Sequence, residues 1–214
     1  MIKAILFDID NTLFPSNEFA ELARRHAISF MIDTGLNVDP DEAYIKLQRI
    51  IKKYGPNYPK HFNALLKDFG MKPNHKIVAA GIVAYHQTKT GIFPFPDVPH
   101  TLIRLRDDGY IVCAASQGVA IKQWDKLIRL GLHNILHEVF VTPKKSKKFY
   151  KFILKKLNMK PQEVVMVGDN FKTDIMPARE AGITTILVSP KHSKNADYTV
   201  KRIGEVPKIL EGLK

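Results

Sequence analysis

The sequence predicts an α/β fold: a doubly wound, Rossmann-like parallel-sheet core interrupted by an inserted all-helical unit. Three observations predict it. Short, nearly continuous apolar runs recur along the chain, each ending in a polar residue and each followed by a segment of helical spacing. Runs that do not alternate are the pattern of strands buried on both faces, as parallel sheets require. Between about residues 15 and 95 the strand signals vanish, and four helix-like segments follow one another.

The first run, residues 2–7, leads into Asp8. The helical unit then occupies 15–95, which leaves 1–14 and 96–214 as the core. Its first helix carries Phe19, Leu22, Ala23, Phe30 and Met31 on one face and ends at Gly35. Its second opens with Asp39-Pro40-Asp41-Glu42, where Asp caps, Pro sits in the first turn and Glu can reach back; Gly55 ends it. A third spans about 60–69 before Gly70, and a fourth about 75–89 before Gly91. The return, Ile92-Phe93-Pro94-Phe95-Pro96-Asp97, is proline-rich and reads as a stiff connection back to the sheet.

A second run, residues 110–115, leads into Ser116, and helical spacing over 119–130 stops at Gly131. A shorter strand follows at 138–142, and Ser146 is a natural cap for a helix over 147–157. The run 163–167 leads into Gly168-Asp169, the helical segment 173–181 closes at Gly182, and the run 184–188 leads into Ser189. Doubly wound sheets bind ligands outside the carboxyl ends of their strands, where Asp8, Ser116 and Asp169 would converge.

A chain of 214 residues is long enough for such a core with a modest insertion. Its 45% apolar and 25% charged residues are ordinary globular usage and speak against disorder or a fibrous repeat. The single cysteine, Cys113, excludes an internal disulfide, and no Cys/His cluster has the spacing of a structural zinc site. The first residues have the wrong flanks for a signal peptide, and the longest later apolar stretch, 77–85, is about half a membrane span. A cytoplasmic protein with no membrane partner is expected. The formal charge of +12 raises nucleic acid as a partner. The lysines, however, are spread over helix faces such as 144–156 with no aromatic-interleaved basic motif, so no nucleic-acid partner is expected.

Asp8 and Asp10 lie two apart at the end of a buried strand, and strand periodicity would put both carboxylates on one face. Close carboxylates repel, so the pair calls for a cation. Gly168-Asp169-Asn170, with Asp174 five residues beyond Asp169, ends another strand, and its hard oxygen donors facing Asp8 would suit Mg²⁺. The same residues also read as a tight turn with Asp174 near a helix dipole, and both readings can hold together. Ser116-Gln117-Gly118 reads as an anion site at a helix start or as a plain N-cap. A serine nucleophile of the G-x-S-x-G type is set aside, because Ala114 holds the first position and the rest of that signature is missing. A lysine after the 138–142 strand would supply positive charge, and Lys144, Lys145, Lys147 and Lys148 compete for that place.

With these residues in order, the chain resembles the haloacid dehalogenase (HAD)-like hydrolase superfamily over essentially its whole length. Asp8-Ile9-Asp10-Asn11-Thr12-Leu13 is similar to its first motif, Ser116 to its second, a lysine within 144–148 to its third, and Gly168-Asp169-Asn170-Phe171-Lys172-Thr173-Asp174 to its fourth. The family's third-motif lysine commonly stands two residues before the helix cap, and counting back from Ser146 selects Lys144. The chain departs from the frequent K-P-x-P form, with Lys145 and Lys147 where prolines are usual, which keeps Lys147 and Lys148 as alternatives.

The resemblance implies that Asp8 attacks phosphorus to form an aspartyl-phosphate and that Asp10 acts as acid and then as base. It implies Mg²⁺ held by Asp8, the backbone carbonyl of Asp10 and Asp169, with Asp174 as ligand or support. It also implies a phosphate grip from Thr12, Ser116, Gln117, Gly118 and Lys144. Dehalogenases of the superfamily generally lack the second aspartate, so Asp10 favours a phosphatase, whose alkoxide leaving group needs a proton that a halide does not. The helical unit resembles the family's small cap of the first type, which closes over the site and favours small substrates. A phosphatase of a small sugar or triose phosphate is therefore expected. A phosphomutase or phosphotransferase, or a non-catalytic basic binding protein, are the alternatives.

Overall fold

The computed structural model describes residues 1–213. The chain forms two compact units, one of Met1–Ser16 with the chain from Phe93 on, the other of Asn17–Ile92. In chain order, β1 (Ala4–Phe7) is followed by four helices, α1 (Ser16–Asp33), α2 (Pro40–Tyr54), α3 (His61–Asp68) and α4 (His75–Thr90). The chain continues as α5 (Val98–Asp107), β2 (Ile111–Gln117), α6 (Ala120–Arg129), β3 (Glu138–Thr142) and α7 (Lys147–Leu157). It ends with β4 (Val164–Gly168), α8 (Met176–Glu180), β5 (Thr184–Val188), β6 (Tyr198–Val200) and α9 (Val206–Glu211).

The six strands form one sheet in the order β3-β2-β1-β4-β5-β6, with every neighbouring pair parallel. This is the doubly wound order, whose direction of progression reverses between β1 and β4 and opens a crevice there. The expected α/β class is thus the observed one. On one face, alternate residues Ala4 and Leu6 of β1, Cys113 and Ala115 of β2, and Val164 and Met166 of β4 pack with Phe149, Tyr150, Ile153 and Leu154 of α7. Each of those four helix side chains stabilises the docking by roughly 1.5–3 kcal/mol through burial.

The helical unit has its own core, in which Met31, Leu36, Leu47, Leu65, Leu66 and Ile77 meet. Asp39 caps α2 by accepting from the Glu42 N–H at 2.8 Å, and Gly55 ends that helix, as its sequence signals say. The face expected for α1 is corrected. Leu22 and Phe30 are 56% and 38% exposed, whereas Ala23, Ala27, Ile28 and Met31 are buried. The row Ala23, Ala27, Met31 follows the four-residue spacing of a helix face. A face drawn through the largest apolar residues is rotated away from it.

The apolar pattern does not foretell α5, β6 or α9. The three-residue β6 pairs only with β5 at the sheet edge, a length too short to carry a periodic signal. Two ends also differ from expectation. β2 runs on past Ala115 to Gln117, because Ser116 and Gln117 keep pairing with Val141 and Thr142 of β3. The segment after Asp169 opens not as an α-helix but as a π-helical turn, Phe171–Ile175. Among the described residues no helix is long and apolar enough to cross a membrane.

Candidate active site

Asp8 stands directly after β1, and its N–H donates to Val167 O of β4 at 2.9 Å, so the sheet ladder itself sets its position at the crevice. It is buried, 6% exposed. Beside it, β4 ends at Gly168-Asp169. Asn170 then caps the π-helical turn, its side-chain oxygen accepting from the N–H groups of Lys172 and Thr173. That turn brings Asp174 back over Gly168, and the Asn170 N–H donates to Asp174 Oδ2 at 3.0 Å. A Cβ on residue 168 would lie 2.6 Å from Asp174 Cβ and Oδ2, so only glycine admits this return.

The lysine that enters the cluster is Lys145. Its Nζ lies 2.5 Å from Asp8 Oδ1 and 2.6 Å from Asp174 Oδ1, and its side chain is 1% exposed. The choice of Lys144 is corrected: Lys144 is exposed, its backbone tied to the Thr142 hydroxyl, and Lys147 and Lys148 face outward on the first turn of α7. The physical reason is local. Ser146 caps α7 by accepting from the Phe149 N–H, and the Lys145 N–H donates to Gln117 Oε1 at 3.1 Å. The residue just before the cap is thereby tied to the end of β2 with its side chain turned inward.

Burial is the dominant electrostatic force here. It pushes the Asp8 carboxyl up to about 7, against the pull of the Lys145 ammonium, with Asp174 adding to the rise. Asp169 is raised to about 6 by burial and then by the Asp174 charge. Burial acts to lower Lys145, yet the Asp8 and Asp174 carboxylates outweigh it and hold the ammonium above its ordinary value. The Tyr150 hydroxyl donates to Asp174 O at 3.3 Å, and burial with the nearby carboxylates raises its pKa.

One oxygen from each of Asp8, Asp169 and Asp174 lies within 4.8 Å of the others. Three carboxylates around one buried ammonium leave this pocket short of positive charge. Hard oxygen donors of that number suit a Mg²⁺ ion that keeps several waters, so the residues fit the metal the resemblance implies. A cavity of about 590 Å³ reaches this cluster at the strand ends, lined by Asn11, Thr12, Asp169 and Ser189 among others.

The residues expected to grip phosphate separate in the structure. Ser116 is 1% exposed and its Oγ has no hydrogen-bond partner. It caps no helix, because β2 continues through it and Val119 holds the cap position of α6. Thr12 lines the cavity but is itself buried, with its hydroxyl donating to Asp169 Oδ1 at 3.5 Å. Gln117 Oε1 accepts from Lys145, and the Gly118 N–H donates to Thr142 O at 2.8 Å, so that amide closes the β2–β3 ladder instead of forming an anion nest.

Asp10 does not share the carboxylate cluster. β1 ends at Phe7 and Asn11 takes a positive φ of 56°, so strand alternation does not extend to Asp10. Its side chain turns to α6, where Lys126 Nζ lies 2.6 and 2.7 Å from its two oxygens and Gln123 Nε2 donates to Oδ2 at 3.2 Å. It remains near enough to Asp8 to add, as the smallest cause, to the rise of that carboxyl. Neither Gln123 nor Lys126 stands out in the sequence. Their three-residue spacing on a helix that follows the Ser116 strand is the one signal that points to them.

A family model described as haloacid dehalogenase-like hydrolase matches residues 2–182. The chain is 44% identical, over 97% of its length and 91% of the other's, to a glyceraldehyde 3-phosphate phosphatase of Methanopyrus kandleri. It is 41% identical, over its full length and 99% of the other's, to a glyceraldehyde 3-phosphate phosphatase of Methanocaldococcus jannaschii. The solved structure of a HAD phosphatase from Thermococcus onnurineus is similar at a TM-score of 0.72, with 25% identity over 99% of each chain.

Proposed function

This chain belongs to the haloacid dehalogenase-like hydrolase family of enzymes, and from that membership we propose that it is a Mg²⁺-dependent phosphatase of glyceraldehyde 3-phosphate or a similar small sugar or triose phosphate. The observation that carries this reading is the meeting of Asp8, Asp174 and Asp169 around the Lys145 ammonium at the ends of β1 and β4. The names of the relatives support the substrate class, and the free Ser116 hydroxyl supports an oxyanion partner.

Asp8, Asp169 and Asp174 would hold the Mg²⁺, which supplies positive charge against the developing charge on the phosphoryl oxygens. An Asp8 oxygen attacks phosphorus in line; the bond from phosphorus to the leaving oxygen breaks, and Asp10 gives that oxygen its proton. Water then attacks the phosphorus of the aspartyl-phosphate. Asp10 takes the proton from that water, inorganic phosphate leaves, and the Asp8 carboxylate is restored. Lys145 and Ser116 would hold the non-reacting oxygens. The Asn17–Ile92 unit would take the part of the family's small helical cap.

The deciding experiment is phosphate release from glyceraldehyde 3-phosphate with Mg²⁺, with chelator, and with Asp8→Asn. Release that survives both the chelator and the substitution refutes the proposal. Release that requires no added acceptor separates hydrolysis from phosphoryl transfer.

A further inference from the structure

Resting on the reading of Asp10 as acid and base, we infer that Lys126 is a positioning residue for Asp10, which together with Gln123 fixes the orientation of the carboxylate that would exchange the proton. Both Asp10 oxygens accept from α6. Lys126 Nζ bridges them at 2.6 and 2.7 Å, and Gln123 Nε2 adds a bond of 3.2 Å to Oδ2. Gln123 and Lys126 are three residues apart and so share a face of α6.

The clamp is itself anchored. Gln123 is buried, and its Nε2 also donates to Gln117 O at 2.9 Å, which ties α6 to the end of β2. Gly118 has φ of +151°, and a Cβ there would lie 2.9 Å from Gln123 Nε2, so the missing side chain is what lets the amide cross that turn. On the other side Asp10 stands beyond the end of β1, before the positive φ of Asn11, where only an isolated bridge to Phe14 holds the backbone.

The side chains of Lys126 and Asp10 are 28% and 32% exposed. Ion pairs that reach solvent contribute little to stability. A pair that nevertheless spans both oxygens, with a buried amide beside it, constrains direction more than it stabilises the fold. Proton transfer is sensitive to that direction, because the acid must lie within hydrogen-bond reach of the departing oxygen.

Leaving-group dependence tests this, since p-nitrophenolate departs with little help from an acid and an alkoxide does not. Values of kcat/KM for glyceraldehyde 3-phosphate and p-nitrophenyl phosphate are compared in the wild type, Asp10→Asn, Lys126→Met and Lys126→Arg, all with Mg²⁺. Lys126→Met is expected to lose about tenfold or more on the triose phosphate and less than about threefold on the aryl ester, with Lys126→Arg restoring most of the loss. Asp10→Asn should show the same selectivity at about a hundredfold or more. Equal losses on both esters in Lys126→Met, or no loss, beside a selective Asp10→Asn, overturn the role of Lys126 alone. An unselective Asp10→Asn, or a wild type inactive on the triose phosphate, overturns the acid assignment and this inference with it.

Discussion

Lys145 Nζ lies 2.5 Å from Asp8 Oδ1, with both side chains nearly sealed from solvent. Such a pair cannot be opened from one side without leaving a buried charge, at a cost of about 3–5 kcal/mol. Lys145→Met should therefore lower kcat/KM for a phosphate ester by about a hundredfold or more. It should also lower the melting temperature measured in chelator. Lys144→Ala, at an exposed position, should leave both within about twofold and about 2 °C. A larger loss from Lys144→Ala than from Lys145→Met would reverse the assignment.

Burial raises the pKa of both Asp8 and Asp169, and the sign of the stability effect follows. A carboxyl raised in the folded state favours folding while it is protonated, so its contribution is full below the unfolded value and is lost as pH rises through the folded one. Metal-free protein should lose stability from about pH 4 up to about pH 7. Asp8→Asn opens the pair with Lys145 and so lowers the melting temperature overall, but it should flatten that decline with pH. Calorimetry across that range checks it, and a wild-type profile that rises with pH contradicts it.

Mg²⁺ binding must compete with protons on the same carboxyls. The rise in melting temperature on adding millimolar Mg²⁺ should thus be larger at pH 7.5 than at pH 5, and should vanish in Asp169→Asn. Thermal shift with a chelator titration reads both. An equal rise at the two pH values would place the ion elsewhere.

Ser116→Ala removes a buried hydroxyl that has no partner within the fold. Deleting it should leave stability within about 0.5 kcal/mol, because no hydrogen bond is broken. Loss of a phosphate contact should still raise KM for the ester, by about tenfold. Paired denaturation and steady-state kinetics separate the two. A destabilised variant with unchanged KM would make Ser116 a packing residue only.

Gly168→Ala introduces a Cβ into the space of the Asp174 side chain. Displacing Asp174 should cost about 1–3 kcal/mol of stability and weaken Mg²⁺ affinity in the same protein. Isothermal titration with Mg²⁺ and a melting curve test the pair of effects together.

Much of this molecule is legible in the chain. The runs before Asp8, Ser116 and Asp169 have no alternation, and they are the strands at the centre of the parallel sheet. The cap residues Asp39 and Ser146 start α2 and α7 as their types require. What failed had particular causes. Lys144 and Lys145 are adjacent and chemically identical, and counting back from the cap says which is spaced like a family motif, not which turns inward. Gln117 and Gly118 read as anion ligands, but Gln117 Oε1, Gln117 O and the Gly118 N–H are taken by Lys145, Gln123 and Thr142, partners 6 to 28 residues away.

The sequence alone determined the fold class and the ends of β1, β3 and β5, because burial on both faces and capping are local properties written in residue type and spacing. It also determined which carboxylates stand at the strand ends. Only the tertiary structure decided who meets whom there. Asp8 and Lys145 are 137 positions apart, and Asp10 and Lys126 are 116 apart. Their pairing depends on β1 lying between β2 and β4 and on one hydrogen bond, from the Lys145 N–H to the Gln117 side chain, that turns a lysine inward. No periodicity carries that information, because a contact across the sheet is a property of the packed chain and not of any segment of it.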